Sequence, residues 1–232
     1  MRQQFTANVS HELKTPLTSI SGFAEILKDD DVNKKTIKDF SSSIYDESQR
    51  MITLVNDIIK LSKLDEESIS QEREPVSLRE ITKEVLEMIQ SEAKKKKITF
   101  NLTGDSGNIT GVSSVIYEMI FNICDNAIKY NKEGGQVFIK INTDQTISDK
   151  EKSEKNRKVS ISVRDTGIGI PEQEKERIFE RFYRIDKSRS KELGGTGLGL
   201  SIVKHGAKYH GASVTIESKM GEGSTFVVSF PA

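Results

Sequence analysis

The sequence is poor in cysteine, in net charge and in long apolar runs, and each shortage closes off a class of protein. Cys124 is the only cysteine, so an intrachain disulfide is excluded and a reducing compartment fits. It follows Met119-Ile120-Phe121-Asn122-Ile123, a setting for a small buried side chain rather than a reactive thiol. Thirty-five basic residues against 35 acidic ones leave a formal net charge of +0, which gives no electrostatic case for nucleic acid or for direct membrane contact. No run reaches the ~18 apolar residues of a membrane span, and no signal peptide is visible. With 34% hydrophobic and 30% charged residues, a chain of 232 residues reads as soluble and as two unequal domains. Helical pattern is under way by Phe5 with no capping residue ahead of it, so a natural upstream segment is expected.

Apolar residues recur at three- and four-residue steps through Phe5, Val9, Leu13, Leu17, Ile20, Ala24 and Leu27, the stripe of a helix. After the polar break Asp29 to Asn33, a second stripe carries Ile44, Met51 and Ile58 at heptad spacing, with Leu54 and Leu61 beside it. Two such helices form a hairpin that buries only part of its apolar surface alone, so a homodimer closing a four-helix bundle is expected. Residues 1–66 are read as this all-α hairpin, 67–75 as an acidic, proline-ended linker, and 76–232 as a second domain. There, helices fit Leu78 to Lys94, Val115 to Lys129, Glu172 to Phe182 and Leu198 to Tyr209. Strands fit Ile98 to Leu102, Val137 to Ile141, Val159 to Val163, Val214 to Ile216 and Phe226 to Phe230. Their irregular alternation points to an α+β sandwich with helices on one face of the sheet. The basic run Lys94 to Lys97 reads as a solvated helix end, and the charged stretch Asp144 to Lys158 as a solvent loop.

Four groups of residues carry chemistry. His11 lies on the first helix and can take a phosphoryl group at one ring nitrogen while the other manages a proton; Glu12 beside it could hold that proton. Pro16 removes the hydrogen bond that the Glu12 carbonyl would accept, a place for a bend next to the nucleophile. Asn122, Asn126 and Lys129 share one helix face, and Tyr130 follows. Two amide oxygens and an ammonium suit a magnesium-bound triphosphate, although such asparagines are commonly plain surface residues. Asp165 ends a strand, with Gly167 and Gly169 behind it; a carboxylate there can accept the amine of adenine, or the segment is a simple turn. Gly194 to Leu200 spaces glycines into a helix start, offering backbone N–H groups to phosphates. It is neither a dinucleotide fingerprint nor a P-loop, since no strand directly precedes it and no Gly-Lys-Ser/Thr ends it. His205 and His210 lack metal-ligand partners in sequence and read as structural.

In this order the blocks resemble the cytoplasmic core of a sensor histidine kinase along nearly the whole chain. His11-Glu12-Leu13-Lys14-Thr15-Pro16-Leu17 is similar to that family's phosphoacceptor motif, Asn122 to Tyr130 to its N box, Asp165 to Gly169 to its G1 box, Phe179 and Phe182 to its F box, and Gly194 to Leu200 to its G2 box. The resemblance implies a Bergerat (GHKL-type) ATP-binding domain, as in DNA gyrase and Hsp90 chaperones, with ATP and Mg2+ as cofactors. It implies that His11 is phosphorylated, with Glu12 as base, and that phosphoryl then passes to an aspartate of a response regulator receiver domain. It makes Thr15 a candidate for phosphatase action on that regulator. Asn122 and Asn126 become candidate magnesium ligands. Lys129, Tyr130, Asp165, Gly167, Gly169, Gly195, Thr196, Gly197, Leu198, Gly199 and Thr225 become candidate nucleotide contacts. Arg184 and Lys187, in a segment resembling the lid over the phosphates, are either phosphate contacts or solvated cations; Phe179 and Phe182 read as packing. The implied location is cytoplasmic, in a parent anchored to the membrane upstream. Two alternatives share the motifs: a conformational ATPase, disfavoured because Asn122 stands where those enzymes need a carboxylate, and a signalling dimer without kinase activity.

Overall fold

The computed structural model describes residues 2–29, 31–65, 72–145, 157–186 and 195–231. Helix α1 (Arg2–Ile26) runs unbroken through a buried Pro16, and α2 (Lys34–Asp65) returns against it, with Asn33 Oδ1 accepting the Thr36 N–H at 2.9 Å as its N-cap. The expected hairpin is therefore present. Its stripe is divided between two jobs. Leu17, Ile26, Ile37, Ile52, Val55 and Ile59 stay exposed, whereas Leu54, Leu61 and Leu64 are buried in a core shared with the second domain. Leu61 is 0% exposed, and burying a leucine contributes roughly 2 kcal/mol, so this half of α2 is committed to the chain's own ATP-domain side rather than to a bundle seam.

Strand β1 (Glu74–Ser77) pairs antiparallel with β3 (Asn108–Gly111) as a small two-stranded sheet. This corrects the linker: Glu74 and Pro75 are strand residues, and the proline is tolerated in so short a pair because it needs no N–H on an open edge. Arg73 anchors the end of that linker by donating to the Tyr209 carbonyl at 2.7 Å. Helix α3 (Leu78–Lys95) follows, capped by Ser77, whose hydroxyl accepts the Glu80 N–H. The large sheet contains β2 (Thr99–Gly104), β4 (Gln136–Gln145), β5 (Arg157–Asp165), β6 (Ser213–Lys219) and β7 (Gly223–Pro231) in the order β2-β4-β5-β7-β6. Only β2 and β4 run parallel. Alternate residues of the three central strands, Val137, Ile139, Ile141, Val159, Ile161, Val163, Phe226, Val228 and Phe230, are buried. Helices α3, α4 (Ser113–Lys129) and α5 (Gly199–Tyr209) supply the facing apolar side chains. The expected α+β sandwich is what forms. Of the charged loop, Asp144 and Lys158 belong to the β4–β5 ladder, and 146–156 lie outside the described residues.

Two readings fail. Glu172 to Phe182 is not a helix but two single 3-10 turns, Glu172–Glu174 and Arg177–Phe179. Phe182 sits at φ 64, and its N–H is donated to the Gly197 carbonyl at 2.9 Å, so a tertiary hydrogen bond replaces the helical one. The lysine run is also more than a solvated end. Lys97 closes the helix at φ 55, while half-buried Lys96 donates to the carbonyls of Ile128 and Lys129 at 3.1 and 2.7 Å, satisfying the end of α4.

Candidate functional site: a nucleotide-sized cavity between the domains

A cavity of about 650 Å³ lies where α4, the end of β5, the loop before α5 and helix α2 meet. Asn122, Asn126, Lys129 and Tyr130 line it from α4, as their shared helix face requires. The Asn122 amide nitrogen donates to the Glu118 carbonyl at 2.7 Å, which turns Oδ1 toward the start of α5. There Gly199 must lack a side chain, since a Cβ would lie 2.5 Å from that oxygen.

Asp165 is 7% exposed and lines the same cavity. Its Oδ1 accepts the N–H of Gly167 at 2.7 Å and of Ser224 at 3.3 Å. Burial pushes its carboxyl above the ordinary aspartate value, opposed by those two backbone N–H bonds. Gly169, Ile168 and Ile170 add an apolar wall, with Ile178 and Phe226 behind. Gly167 is not in the lining; it is needed because a Cβ there would strike the Tyr130 carbonyl, the same carbonyl that accepts the Ile168 N–H at 3.1 Å. Asn131 completes the join: its Nδ2 donates to the Gln136 carbonyl at 3.2 Å, and its Oδ1 accepts the Thr166 hydroxyl at 3.2 Å.

At the other end, Gly195, Thr196, Gly197 and Gly199 line the cavity as they run into α5, with no acidic residue in its first turn. Leu198 does not face the cavity: it is 0% exposed and anchors the loop in the core. Thr225 is likewise displaced. Strand alternation turns Phe226 inward with Val163, which leaves Thr225 on the outer face opposite Arg164; the inward polar neighbour is Ser224, a residue sequence pattern passed over. Lys187 and Gly194 lie outside the described residues.

Arg184 lines the cavity and pairs with Glu12 at 3.1 Å, and burial lowers its pKa from the usual arginine value. This contact links the cavity to the helix of His11. His11 itself is exposed and is not among the lining residues, and the Thr15 hydroxyl donates to the His11 carbonyl at 3.3 Å. Phe179 and Phe182 pack as read, edge-on to Phe226 at 6.4 Å and against Phe5 at 5.8 Å. His205 donates from Nδ1 to Asp65 at 2.8 Å, beside Arg181, and ties α5 to the end of α2. His210 donates from Nδ1 to the Gly206 carbonyl at 2.8 Å and accepts the Val112 N–H at 3.0 Å, holding the entry to α4. Cys124 is fully buried, and burial pushes its thiol up to about 12. No described helix is long and apolar enough to cross a membrane.

The model of the histidine kinase-, DNA gyrase B- and HSP90-like ATPases matches residues 111–232, and that of the His Kinase A (phospho-acceptor) domain matches residues 1–67. Sensor histidine kinase WalK of Bacillus subtilis (strain 168) is 36% identical over 233 residues, covering 99% of this chain and 36% of WalK. Histidine kinase ThkA, solved in complex with response regulator protein TrrA, superposes with a TM-score of 0.72 at 26% identity over 98% of this chain and 61% of that one. Full-length ShkA in complex with AMPPNP gives a TM-score of 0.68 at 25% identity over 98% of this chain and 45% of that one. The chain thus spans less than two thirds of each relative's own length. It belongs to the histidine kinase-, DNA gyrase B- and HSP90-like ATPase family and, with the phospho-acceptor hairpin in front, is a sensor histidine kinase catalytic core.

Proposed function

We propose that the chain is an ATP-dependent histidine autokinase in which His11 takes the γ-phosphoryl group of ATP and passes it to an aspartate of a separate response regulator. One observation carries the reading: a single cavity collects the Asn122–Asn126–Lys129 face, buried Asp165 and the glycine loop, and its Arg184 reaches the residue next to His11. Asp165 accepts the adenine amine; the Gly195 to Gly199 loop and the start of α5 receive the phosphates through backbone N–H groups. Lys129, Tyr130 and Arg184 complete the nucleotide contacts.

Asn122 and Asn126 suit a magnesium ion. Among the described residues no group of three or more His, Cys, Asp or Glu could hold a metal, so the ion would depend on phosphate oxygens and water beside these amides, as magnesium prefers. Bound there, it would neutralise charge developing on the transferred phosphoryl group. His11 attacks from outside the cavity, so the two domains must shift for transfer, and Glu12 must exchange Arg184 for the imidazole before it can serve as base.

The hairpin spans 1–66 and the ATP-binding domain opens at β1. The exposed Leu17, Ile26, Ile52, Val55 and Ile59 supply the apolar surface through which a second copy completes a four-helix bundle. Exposed Thr15, one turn from His11, fits a role in removing phosphate from the regulator. The setting is cytoplasmic, with a sensor and membrane anchor upstream. Incubation with γ-labelled Mg-ATP tests the core claim. Acid-labile, base-stable label is expected on the wild type and none on His11→Gln; full labelling of that variant would remove His11 as acceptor.

A further inference from the structure

Helix α2 forms one wall of the cavity. Thr53, Asn56, Asp57 and Lys60 follow helical spacing and all line it, although they belong to the hairpin. Asp57 Oδ2 accepts the hydroxyl hydrogen of Thr196 at 2.8 Å, and the same hydroxyl oxygen accepts the Leu198 N–H at 3.3 Å. A carboxylate from one domain therefore already occupies the loop whose geometry suits an anion in the other.

The charges around it agree. The three described cations that line the cavity are each held by a carboxylate: Lys60 by Glu118 at 2.7 Å, Lys129 by Asp125 at 2.7 Å and Arg184 by Glu12 at 3.1 Å. Two of these pairs, Lys60–Glu118 and Arg184–Glu12, join hairpin to ATP domain. As it stands the cavity satisfies its own phosphate-binding groups with protein acids, and a triphosphate entering beside Asp57 meets a like charge that is mostly withdrawn from water.

We propose that Asp57 is an internal stand-in for nucleotide phosphate: it docks α2 on the Thr196 loop, and Mg-ATP must displace it, so Asp57 sets nucleotide affinity. The inference rests on the reading of the cavity as an ATP site. Displacement frees Thr196 for the nucleotide and removes one of the bonds that hold the hairpin to the ATP domain. Binding and domain release are then one event, which the separation of His11 from the cavity requires.

Two variants of the whole chain test this by calorimetric titration with Mg-ATP and, separately, with adenosine. Asp57→Ala removes the competing carboxylate; Asp57→Asn keeps its shape and can still accept from Thr196, so it guards against a folding defect. Breaking a charged hydrogen bond is part of the wild-type cost, so Asp57→Ala should bind Mg-ATP about tenfold more tightly, with a smaller gain for Asp57→Asn. Adenosine, which meets the Asp165 end, should bind all three proteins alike. Wild-type binding with no gain in either variant would overturn the role of Asp57 alone. An equal gain for adenosine would show general loosening and overturn it as well. No binding of Mg-ATP by any of the three would overturn the ATP site and this inference with it.

Discussion

Replacing Asp165 by Asn should separate binding from stability. The two side chains have the same shape, and Asn can still accept the Gly167 and Ser224 N–H groups at its Oδ1. At the other oxygen, however, an acceptor becomes an amide donor and would face the donor amine of adenine. The loss is a charge-assisted hydrogen bond together with an unpaired donor, about 2–4 kcal/mol, or roughly 30- to 1,000-fold in nucleotide affinity. The folded protein without nucleotide should not suffer. Burial is the largest influence on Asp165 and disfavours its charged form, so neutralising it should leave the thermal midpoint unchanged or slightly higher at pH 7. Titration with Mg-ATP and a melting curve on one preparation measure both quantities. An unaltered affinity would refute the placing of adenine at Asp165; a lost affinity together with a large fall in melting temperature would mean that the carboxylate serves the fold.

His210 gives a pH dependence with a definite sign. Burial lowers its pKa below the ordinary 6.5, so the unfolded chain binds the proton more readily, and the contribution of neutral His210 is present above 6.5 and lost as pH falls toward the folded value. Melting from about pH 8 to 5 should show that acid limb in the wild type and a shallower one in His210→Leu, whose curve should lie ~1–3 kcal/mol lower at pH 8 because the Val112 N–H loses its acceptor; parallel curves would exclude the residue. Lys96→Met should cost about 1–3 kcal/mol in denaturant unfolding by stripping the Lys129 carbonyl of its ammonium donor and leaving the Ile128 carbonyl with backbone N–H donors alone, and it should weaken nucleotide binding through the adjoining Lys129 and Tyr130; a stability equal to wild type would restore the picture of a merely solvated lysine.

What could be read in sequence was whatever depends on neighbours along the chain. Heptad and helical spacing gave both hairpin helices, and a period of four placed Asn122 and Asn126 on one face, because helix geometry alone decides that. Asp165 at a strand end and glycines before a helix were legible for the same local reason. Glu172 to Phe182 misled because its helical pattern is real, but the Gly197 carbonyl takes the Phe182 N–H and the backbone follows.

Sequence by itself determined the type of the long helices and of the five strands of the large sheet, the order of the motifs and the chemistry each could offer. Tertiary structure decided which of those groups share a space. Ser224 rather than Thr225 meets the Asp165 site, because register on β5 sets which strand residues turn inward. Lys96 caps a helix 32 residues away. Asp57 comes to Thr196 across 139 residues. No local pattern encodes such pairs; the last exists because burying Leu54, Leu61 and Leu64 lays α2 against α5 and brings the polar residues between those leucines to the cavity.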